Sequence, residues 1–477
     1  MIRRRRPLFV AASTASLLLA NSGDAAASGY LTARFGADHG TPAMATPYAV
    51  YFNPAAMGGM GSGSQLVLDG SLALRQVTYS RTPAALSPSG PEASENPLYR
   101  ATNTGDARLF NALALPYAGF VTGLGTRDLR LGAALYVPFG GIAFWDKTSR
   151  FEGNQAAPGG VDGPQRWHNI NGQILAGYTT LAVSYTLPGT RISLGLSGSL
   201  VTHHVSTVRA RNADGSDDIN TPAGALKEGR SLLDVWGFNA AMSAGVYWEV
   251  DEARRLRIGV SYLSQPGFGT TRMPGYLKQQ FGTDPSVAQK NDADLLLDYP
   301  DIIRFGIAAR VSRAVELRAD AEYVRWSTFK RQCVTKPGAE CTVDDTGRDT
   351  SPTGNVVLNI PRNFKDAIGL RFGPAYFVDD RTEIFASLGV TTAAMSPQYI
   401  DPSAIDATRL YVTLGGRYTL SDHWALAMSA NYIGFAQVDT KGRSEFYRFA
   451  SPSTSPSADG VYTSALFLLN ANLTYSF

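Results

Sequence analysis

The feature that most constrains this chain is a recurring alternation of apolar and polar residues, broken by connections that are alternately short and long. Successive side chains of a strand point to opposite faces, so each alternating segment predicts a β-strand with one apolar face. A soluble sandwich has no reason to sort its connections by length, whereas a barrel that crosses an outer membrane has short turns at one end and long loops at the other. The predicted strands, fourteen in number, are 64–81, 105–122, 128–146, 171–187, 190–211, 230–250, 254–266, 300–312, 314–327, 361–378, 381–393, 408–420, 423–437 and 461–477.

The charged residues of these segments fall on one face. In the segments around 303–311 and 315–323, the face opposite the apolar one carries Arg304, Arg310, Glu316, Arg318, Asp320 and Glu322. An arginine facing lipid at mid-bilayer would cost about 2–4 kcal/mol, so this face is expected to line the lumen, where opposite charges can pair across strands. The predicted fold is all-β: a fourteen-stranded antiparallel transmembrane β-barrel.

The N-terminus has the form of a secretion signal. Arg3 to Arg6 precede a short apolar stretch, and Ala25 to Ala27 offer a cleavage site, which predicts a signal peptide over 1–27. This segment holds four arginines and one aspartate, so its removal leaves 39 Lys and Arg against 39 Asp and Glu. A chain without net charge gives no reason to expect a nucleic-acid partner.

Residues 28–63 lack clean alternation and are rich in Gly, Ala and Pro. Their core is "VYFNPAAMGG", in which Pro54 removes a backbone donor and disfavours helix at Asn53. A broken apolar segment of this kind is expected to pack inside the barrel as a small plug, with the barrel itself over 64–477. The asparagine would then bond backbone groups that the proline leaves unpaired.

The sequence offers little for catalysis or metal binding. It contains five histidines and no G-x-S-x-G, H-E-x-x-H or Walker sequence, so we expect neither an enzyme nor a cofactor or metal site. Cys333 and Cys341 are close together in a polar loop, and in an exported protein such a pair predicts a disulfide, with two free thiols as the alternative.

Several segments, taken in order, resemble the long-chain fatty acid transporters of the bacterial outer membrane, the FadL family, which includes toluene and xylene channels. The hatch-like stretch 28–57 carries the Asn-Pro-Ala motif at Asn53, Pro54 and Ala55, and "VPFGG" (137–141), 299–329, 363–390 and 396–435 also look like family segments. The terminal Phe477 resembles the sorting signal of outer-membrane barrels. The resemblance implies an N-terminal hatch that plugs a fourteen-stranded barrel, and passive import of hydrophobic molecules by loop capture, lumen binding and lateral exit.

The sequence offers candidate residues for each step of the mechanism that the resemblance implies, with the lumen cations placed by strand alternation alone. Pro138, Phe139, Gly140 and Gly141 would interrupt strand pairing and open the wall, although they could simply end the strand. The loop 267–299 would form an apolar capture groove, or else a helical cap packed on itself, from Met273, Tyr276, Leu277, Phe281, Leu295, Leu296 and Leu297. If the ligand is an acid, lumen cations could hold its head group, the candidates being Arg304, Lys365, Arg371 and Arg417.

Two other functions remain open at this point. The long loops could bind a protein, making the barrel an interaction or secretion-system component, or the lumen could pass polar solutes as a porin does. For the transporter, the expected partners are a hydrophobic small molecule and the lipid and lipopolysaccharide of the outer membrane, with the chain as a monomer.

Overall fold

The computed structural model describes residues 34–82, 97–282 and 285–477. The predicted signal peptide lies outside these residues, as do 28–33 of the predicted hatch. The strands are β1 Ser64–Arg81, β2 Gly105–Thr122, β3 Leu129–Phe144, β4 Asn171–Thr186, β5 Ile192–Arg211, β6 Gly229–Glu249, β7 Leu256–Leu263, β8 Thr271–Gln280, β9 Gln289–Leu297, β10 Ile302–Arg310, β11 Val315–Val324, β12 Arg331–Thr335, β13 Val356–Pro361, β14 Ala367–Phe377, β15 Thr382–Thr391, β16 Arg409–Thr419, β17 Trp424–Phe435, β18 Val438–Asp439 and β19 Gly460–Ser476.

Fourteen of these strands form the wall of a closed antiparallel barrel. Each pairs with the next in the order β1 to β7, β10, β11, β14 to β17 and β19. The barrel closes where β19 pairs with β1, from Gln65 opposite Ser476 to Arg81 opposite Gly460. The predicted fourteen-stranded barrel is therefore confirmed, although strand ends shift by a few residues and the tenth wall strand begins at Ala367 rather than at 361.

The helices are short. The α-helices are α1 Ala49–Phe52 and α2 Pro97–Asn103, and the 3-10 helices include Ala37–His39, Pro54–Gly59, Ser149–Phe151, Pro158–Asp162, Pro164–Trp167, Pro266–Phe268, Pro285–Val287, Trp326–Thr328 and Phe446–Arg448. Among the described residues, none of the helices combines the length and apolarity needed to cross a bilayer.

The alternation separates an apolar outside from a polar inside, as the charged face predicted. Ile303 and Phe305 of β10 are 48% and 44% exposed, whereas Arg304 between them is buried. On β11 and β14, Glu316, Arg318 and Arg371 are likewise buried. The outer surface therefore suits lipid, and the charges of the wall are turned inward.

The connections at one end, called here the short-turn end, are tight turns, and those at the other, the long-loop end, carry additional structure. The upper part of β6 leaves β7 and pairs with β8, which continues through β9 and β12 to β13. The segment 267–299 is thus mainly an antiparallel hairpin rather than a helical cap. Strands β8, β9, β12, β13 and β18 were not predicted from the sequence.

Candidate functional site

Residues 34–63 lie inside the barrel, where Asn53 organises their backbone. Its side chain is fully buried and accepts a hydrogen bond from the Ala55 amide at 3.1 Å, which caps the 3-10 helix that begins at Pro54. The same side chain donates to the Pro42 carbonyl at 2.9 Å and to the Val246 carbonyl of β6 at 3.0 Å. One asparagine therefore fixes two turns of this hatch and fastens both to the wall.

Three wall glycines make this close approach possible. A Cβ on Gly195, Gly245 or Gly259 would stand 2.1 Å from the Ala55 nitrogen, 2.0 Å from the Asn53 side-chain oxygen and 2.0 Å from the Pro42 oxygen, respectively. These distances are far inside van der Waals contact, so any larger residue would push the hatch away.

Two of the predicted head-group cations contact the hatch. Arg304 donates to the Tyr51 hydroxyl at 2.7 Å and pairs with Glu322 at 2.9 Å. Arg371 donates to hatch carbonyl groups and pairs with hatch Asp38 at 3.2 Å and wall Asp320 at 2.8 Å. Both guanidinium groups are thus already balanced by carboxylates.

The other two candidates lie elsewhere. Arg417 lines a polar cavity beneath the hatch, toward the short-turn end, together with Arg257, Arg318, Glu316 and Glu383. Lys365 is exposed in the connection before β14. A ligand-binding role for these four cations stays a prediction. Arg304 and Arg371 line one small cavity beside the hatch, whereas Arg417 and Lys365 lie apart from it.

The predicted kink interrupts the wall. The register between β3 and β4 shifts between Tyr136 and Phe139, at the position of Pro138. On the other side of β3, the ladder with β2 runs only from Thr122 opposite Leu131 to Tyr117 opposite Tyr136. Within the described residues, the two strands then separate, which leaves an unpaired gap toward the long-loop end.

A side-chain clasp and one backbone bond close the top of this gap. The Asn111 amide of β2 donates to the Phe144 carbonyl and accepts from the Phe144 nitrogen, both at 3.1 Å, and just beyond it the Asp146 nitrogen donates to the Arg108 carbonyl at 2.8 Å. Below this clasp, Ile142 of β3 packs with Leu113 and Leu115 of β2. Pro116 of β2, which cannot donate to the ladder, lies next to the last paired residue and was not singled out from the sequence.

A largely apolar cavity adjoins this gap on the lumen side. It is lined in part by Gly141, Ile142 and Ala143 of the kinked strand. Apolar lining from the other side comes from Ile174, Val205, Leu233, Leu277, Leu295, Val334, Leu358 and Ile360. The cavity therefore connects the kink in the wall to the hairpin of the long-loop end.

The predicted capture residues lie in three different environments. Leu277 and Leu295 line the cavity, and Met273 and Leu297 are buried in the same apolar core. Leu296 packs against Cys333 on the opposite face of the hairpin, where Cys333 and Cys341 form a disulfide. Tyr276 packs against Lys290, and Phe281 is 39% exposed at the hairpin tip.

The cavity contains a cation that the sequence analysis missed. Arg209 of β5 lines it and is 7% exposed, and its side chain makes no hydrogen bond or ion pair with any residue that the structure describes. Alternation placed Arg209 on the inner face, but nothing in the pattern distinguishes a paired arginine from an unpaired one. Arg362 lines the same cavity but is already paired with Asp401 at 2.8 Å.

The wall of the cavity toward the long-loop end is a buried polar cluster. Arg362 also donates to Gln332 and Ser403, each at 2.8 Å. Burial opposes the charge on Asp401, yet the Arg362 guanidinium keeps the pKa of this carboxyl below its usual value. Burial lowers the pKa of His168 to about 3, although neighbouring Asp401 favours the charged form.

Aromatic rings fill the lumen between hatch and cavity. The series begins in the hatch with Phe35 and Tyr51, 5.6 Å apart, and continues to Tyr136 of β3 at 4.8 Å. From there it passes through Tyr178, Phe139, Tyr299 and His203, with successive ring centres 5.0–6.2 Å apart. This aromatic column separates the cavity from the short-turn end.

A closed antiparallel barrel with an apolar outer surface, a plugged lumen and an apolar cavity beside a gap in its wall is a membrane channel of the outer-membrane type. The chain belongs to the outer membrane protein transport protein family (OMPP1/FadL/TodX), whose model matches residues 23–477. The resemblance and the outer-membrane location expected from the sequence are thereby confirmed.

Solved structures share the fold. A Pseudomonas aeruginosa FadL homologue is 17% identical, with 95% of this chain and 99% of that chain covered at a TM-score of 0.70. The Ralstonia pickettii toluene transporter TbuX is 16% identical, with 91% and 94% covered at 0.59, and the Pseudomonas putida toluene transporter TodX is 15% identical, with 95% of each chain covered at 0.59. A search of curated proteins finds no match.

Proposed function

We propose that this protein is a passive channel, not an enzyme, that carries hydrophobic molecules across the outer membrane, and that long-chain fatty acids are its main substrates. The observation that carries the proposal is the position of the apolar cavity, between the long-loop hairpin and the gap in the wall, with one unpaired arginine inside it. Toluene transporters among the solved relatives make small aromatic hydrocarbons the next candidates.

Capture would occur at the long-loop end. Phe268 and Phe281 are 58% and 39% exposed near the two ends of β8, while Leu277 and Leu295 of the same hairpin face the cavity. A ligand can therefore move from an exposed apolar contact to a buried one along a single element. Each buried methylene group contributes about 0.8 kcal/mol, so a long acyl chain gains more than a short one.

Arg209 gives the cavity a preference for an acid. An unpaired guanidinium in a mainly apolar cavity is unfavourable, and a carboxylate that enters can bond it in a charge-assisted, bidentate manner. The acyl chain would then lie along Val205, Leu233 and Ile174. This arrangement favours a fatty acid over a neutral hydrocarbon.

Exit would take place sideways between β2 and β3. Ile142 lines the cavity and belongs to the same buried apolar cluster as Leu113 and Leu115 of β2, so movement of these side chains would open a path from the cavity to the membrane. The hatch and the aromatic column close the direct route toward the short-turn end. The concentration gradient supplies the driving force, and the barrel is complete as a monomer in contact with lipid and lipopolysaccharide.

The test is uptake of labelled oleic acid by a host that lacks its own outer-membrane fatty acid transporter. Arg209→Met should reduce uptake at low substrate concentration by about tenfold or more, because hydrogen bonds to a charged group contribute about 1.5–3 kcal/mol. Arg108→Met is the matched control, since Arg108 is exposed on β2. Toluene uptake should be unchanged in both variants.

The proposal fails if the folded wild-type barrel takes up no oleic acid. Uptake of toluene alone would replace fatty acids by hydrocarbons as the substrate. Equal oleic acid uptake by wild type and Arg209→Met would remove Arg209 from the binding site.

A further inference from the structure

His203 is a buried polar residue without partners. Its side chain is fully buried on the inner face of β5, and neither Nδ1 nor Nε2 has a hydrogen-bond partner among the described residues. Burying such a group unpaired is unfavourable, and most buried polar groups in folded proteins have a partner. The imidazole therefore points to a partner that binds there.

The imidazole lies next to the cavity proposed to bind the ligand. Alternate residues of β5 face inward, so His203 comes directly after the cavity-lining series of Arg209, Thr207 and Val205. It lies one inward-facing position beyond Val205, on the side of the cavity away from the arginine. Arg209 lies six positions after His203, which corresponds to about 20 Å between their Cα atoms along the strand, and the long arginine side chain can span part of this distance.

One of the side chains around His203, that of Met273, can change its conformation easily. Gly237 is its partner on β6, and a Cβ at this glycine would lie 2.8 Å from the Met273 side chain. Tyr299 covers the imidazole from the column, with ring centres 5.0 Å apart. Methionine side chains repack easily, so displacement of Met273 would give a ligand access to the imidazole.

We propose that His203 is a second polar subsite, which binds a hydroxyl group within the chain of a long-chain acid whose carboxylate is held by Arg209. This inference rests on the proposed function and narrows its substrate class to hydroxylated fatty acids. A neutral imidazole has one donor and one acceptor nitrogen, and a hydroxyl group can pair with either. The strand spacing requires the hydroxyl to be far from the carboxylate, not beside it.

Ricinoleic acid and oleic acid test the subsite, because they differ by one hydroxyl group in the middle of the chain. Binding of each acid to the full-length barrel in detergent should show a preference for ricinoleic acid of about threefold to tenfold, the contribution of one hydrogen bond. His203→Phe should abolish the preference and leave oleic acid binding intact. His203→Gln, which retains a donor and an acceptor, should restore part of it.

The outcomes separate this inference from the proposed function. If wild type binds both acids equally, or if His203→Phe keeps the preference, the subsite is wrong while fatty acid binding stands. If wild type binds neither acid, the proposed function fails and the subsite fails with it. A hydroxyl placed next to the carboxylate should give no preference, and a preference for that acid would contradict the spacing.

Discussion

Replacing Asn53 by alanine tests how the hatch is held in the lumen. The substitution removes three hydrogen bonds, to Pro42, Ala55 and Val246, within a fully buried site. One of these bonds joins the hatch to the wall and two hold the hatch backbone, so at about 0.5–1.5 kcal/mol for each bond the folded, docked hatch loses about 1.5–4.5 kcal/mol relative to an undocked and unfolded one, before any cost of groups left unpaired. Because each 1.4 kcal/mol is a factor of about ten, the undocked population rises by about tenfold to a thousandfold.

Ion conductance through single barrels in a planar bilayer measures this population directly. Wild type should be closed nearly all the time, and Asn53→Ala should show frequent long openings. Gly259→Val should do the same by a different route, since its Cβ would meet the Pro42 oxygen at 2.0 Å. If the folded Asn53→Ala barrel opens as rarely as wild type, the three Asn53 hydrogen bonds do not hold the hatch in place.

Two matched controls keep the hatch in place. Asn431 is a buried wall asparagine that accepts a hydrogen bond from Thr413, so Asn431→Ala removes an amide without touching the hatch. A Cβ at Gly198 would meet nothing within 4 Å, so Gly198→Val adds a side chain at a wall glycine harmlessly. Both variants should conduct like wild type.

Two further predictions concern the wall gap and the long-loop end. Asn111→Ala removes the clasp to Phe144, so uptake of bulky hydrophobic molecules should rise several-fold relative to slender ones, and an unchanged size preference would exclude the clasp from the exit. His168 has a pKa of about 3 in the folded protein against 6.5 ordinarily, so the unfolded loops bind a proton that the folded ones do not. The stability of the long-loop end should therefore decrease as pH falls from about 6.5 toward 3. In wild type, limited proteolysis should cleave the outer loops faster as the pH falls over this range. In His168→Asn the cleavage rate should depend less on pH. The same pH dependence in both proteins would argue against His168 as the titrating group.

The wall was predictable because lipid imposes a simple rule on it. Each wall strand must be apolar on its outer face, so segments such as 302–310 reveal both their conformation and their orientation. The hairpin of β8 and β9 obeys no such rule, since one face meets the cavity and the other meets the disulfide-bonded loop. Leu295, Leu296 and Leu297 are all buried for this reason. Their unbroken apolar run lacks the alternation from which a strand is predicted.

The site was predictable only where a residue type is unusual for a strand. Pro138 and its glycines stood out in β3, and the Asn-Pro-Ala motif stood out in the hatch. The pairing of distant side chains could not be predicted from the sequence, because alternation assigns a side chain to a face of the sheet but does not identify its partner. Arg371 pairs with two carboxylates and Arg209 pairs with none in the described part of the chain, yet both look alike in the sequence.

The distribution of hatch contacts around the wall has a consequence for biogenesis. Hatch groups bond to Asp69 on β1, Tyr117 on β2 and Ser184 on β4 at one side of the barrel, and to Arg371 on β14 at the other side. These contacts are complete only after β19 has joined β1 and the circle has closed. A damaged hatch should therefore leave strand insertion intact and appear as a fully assembled but leaky pore, so quality control that monitors wall closure alone would not detect it.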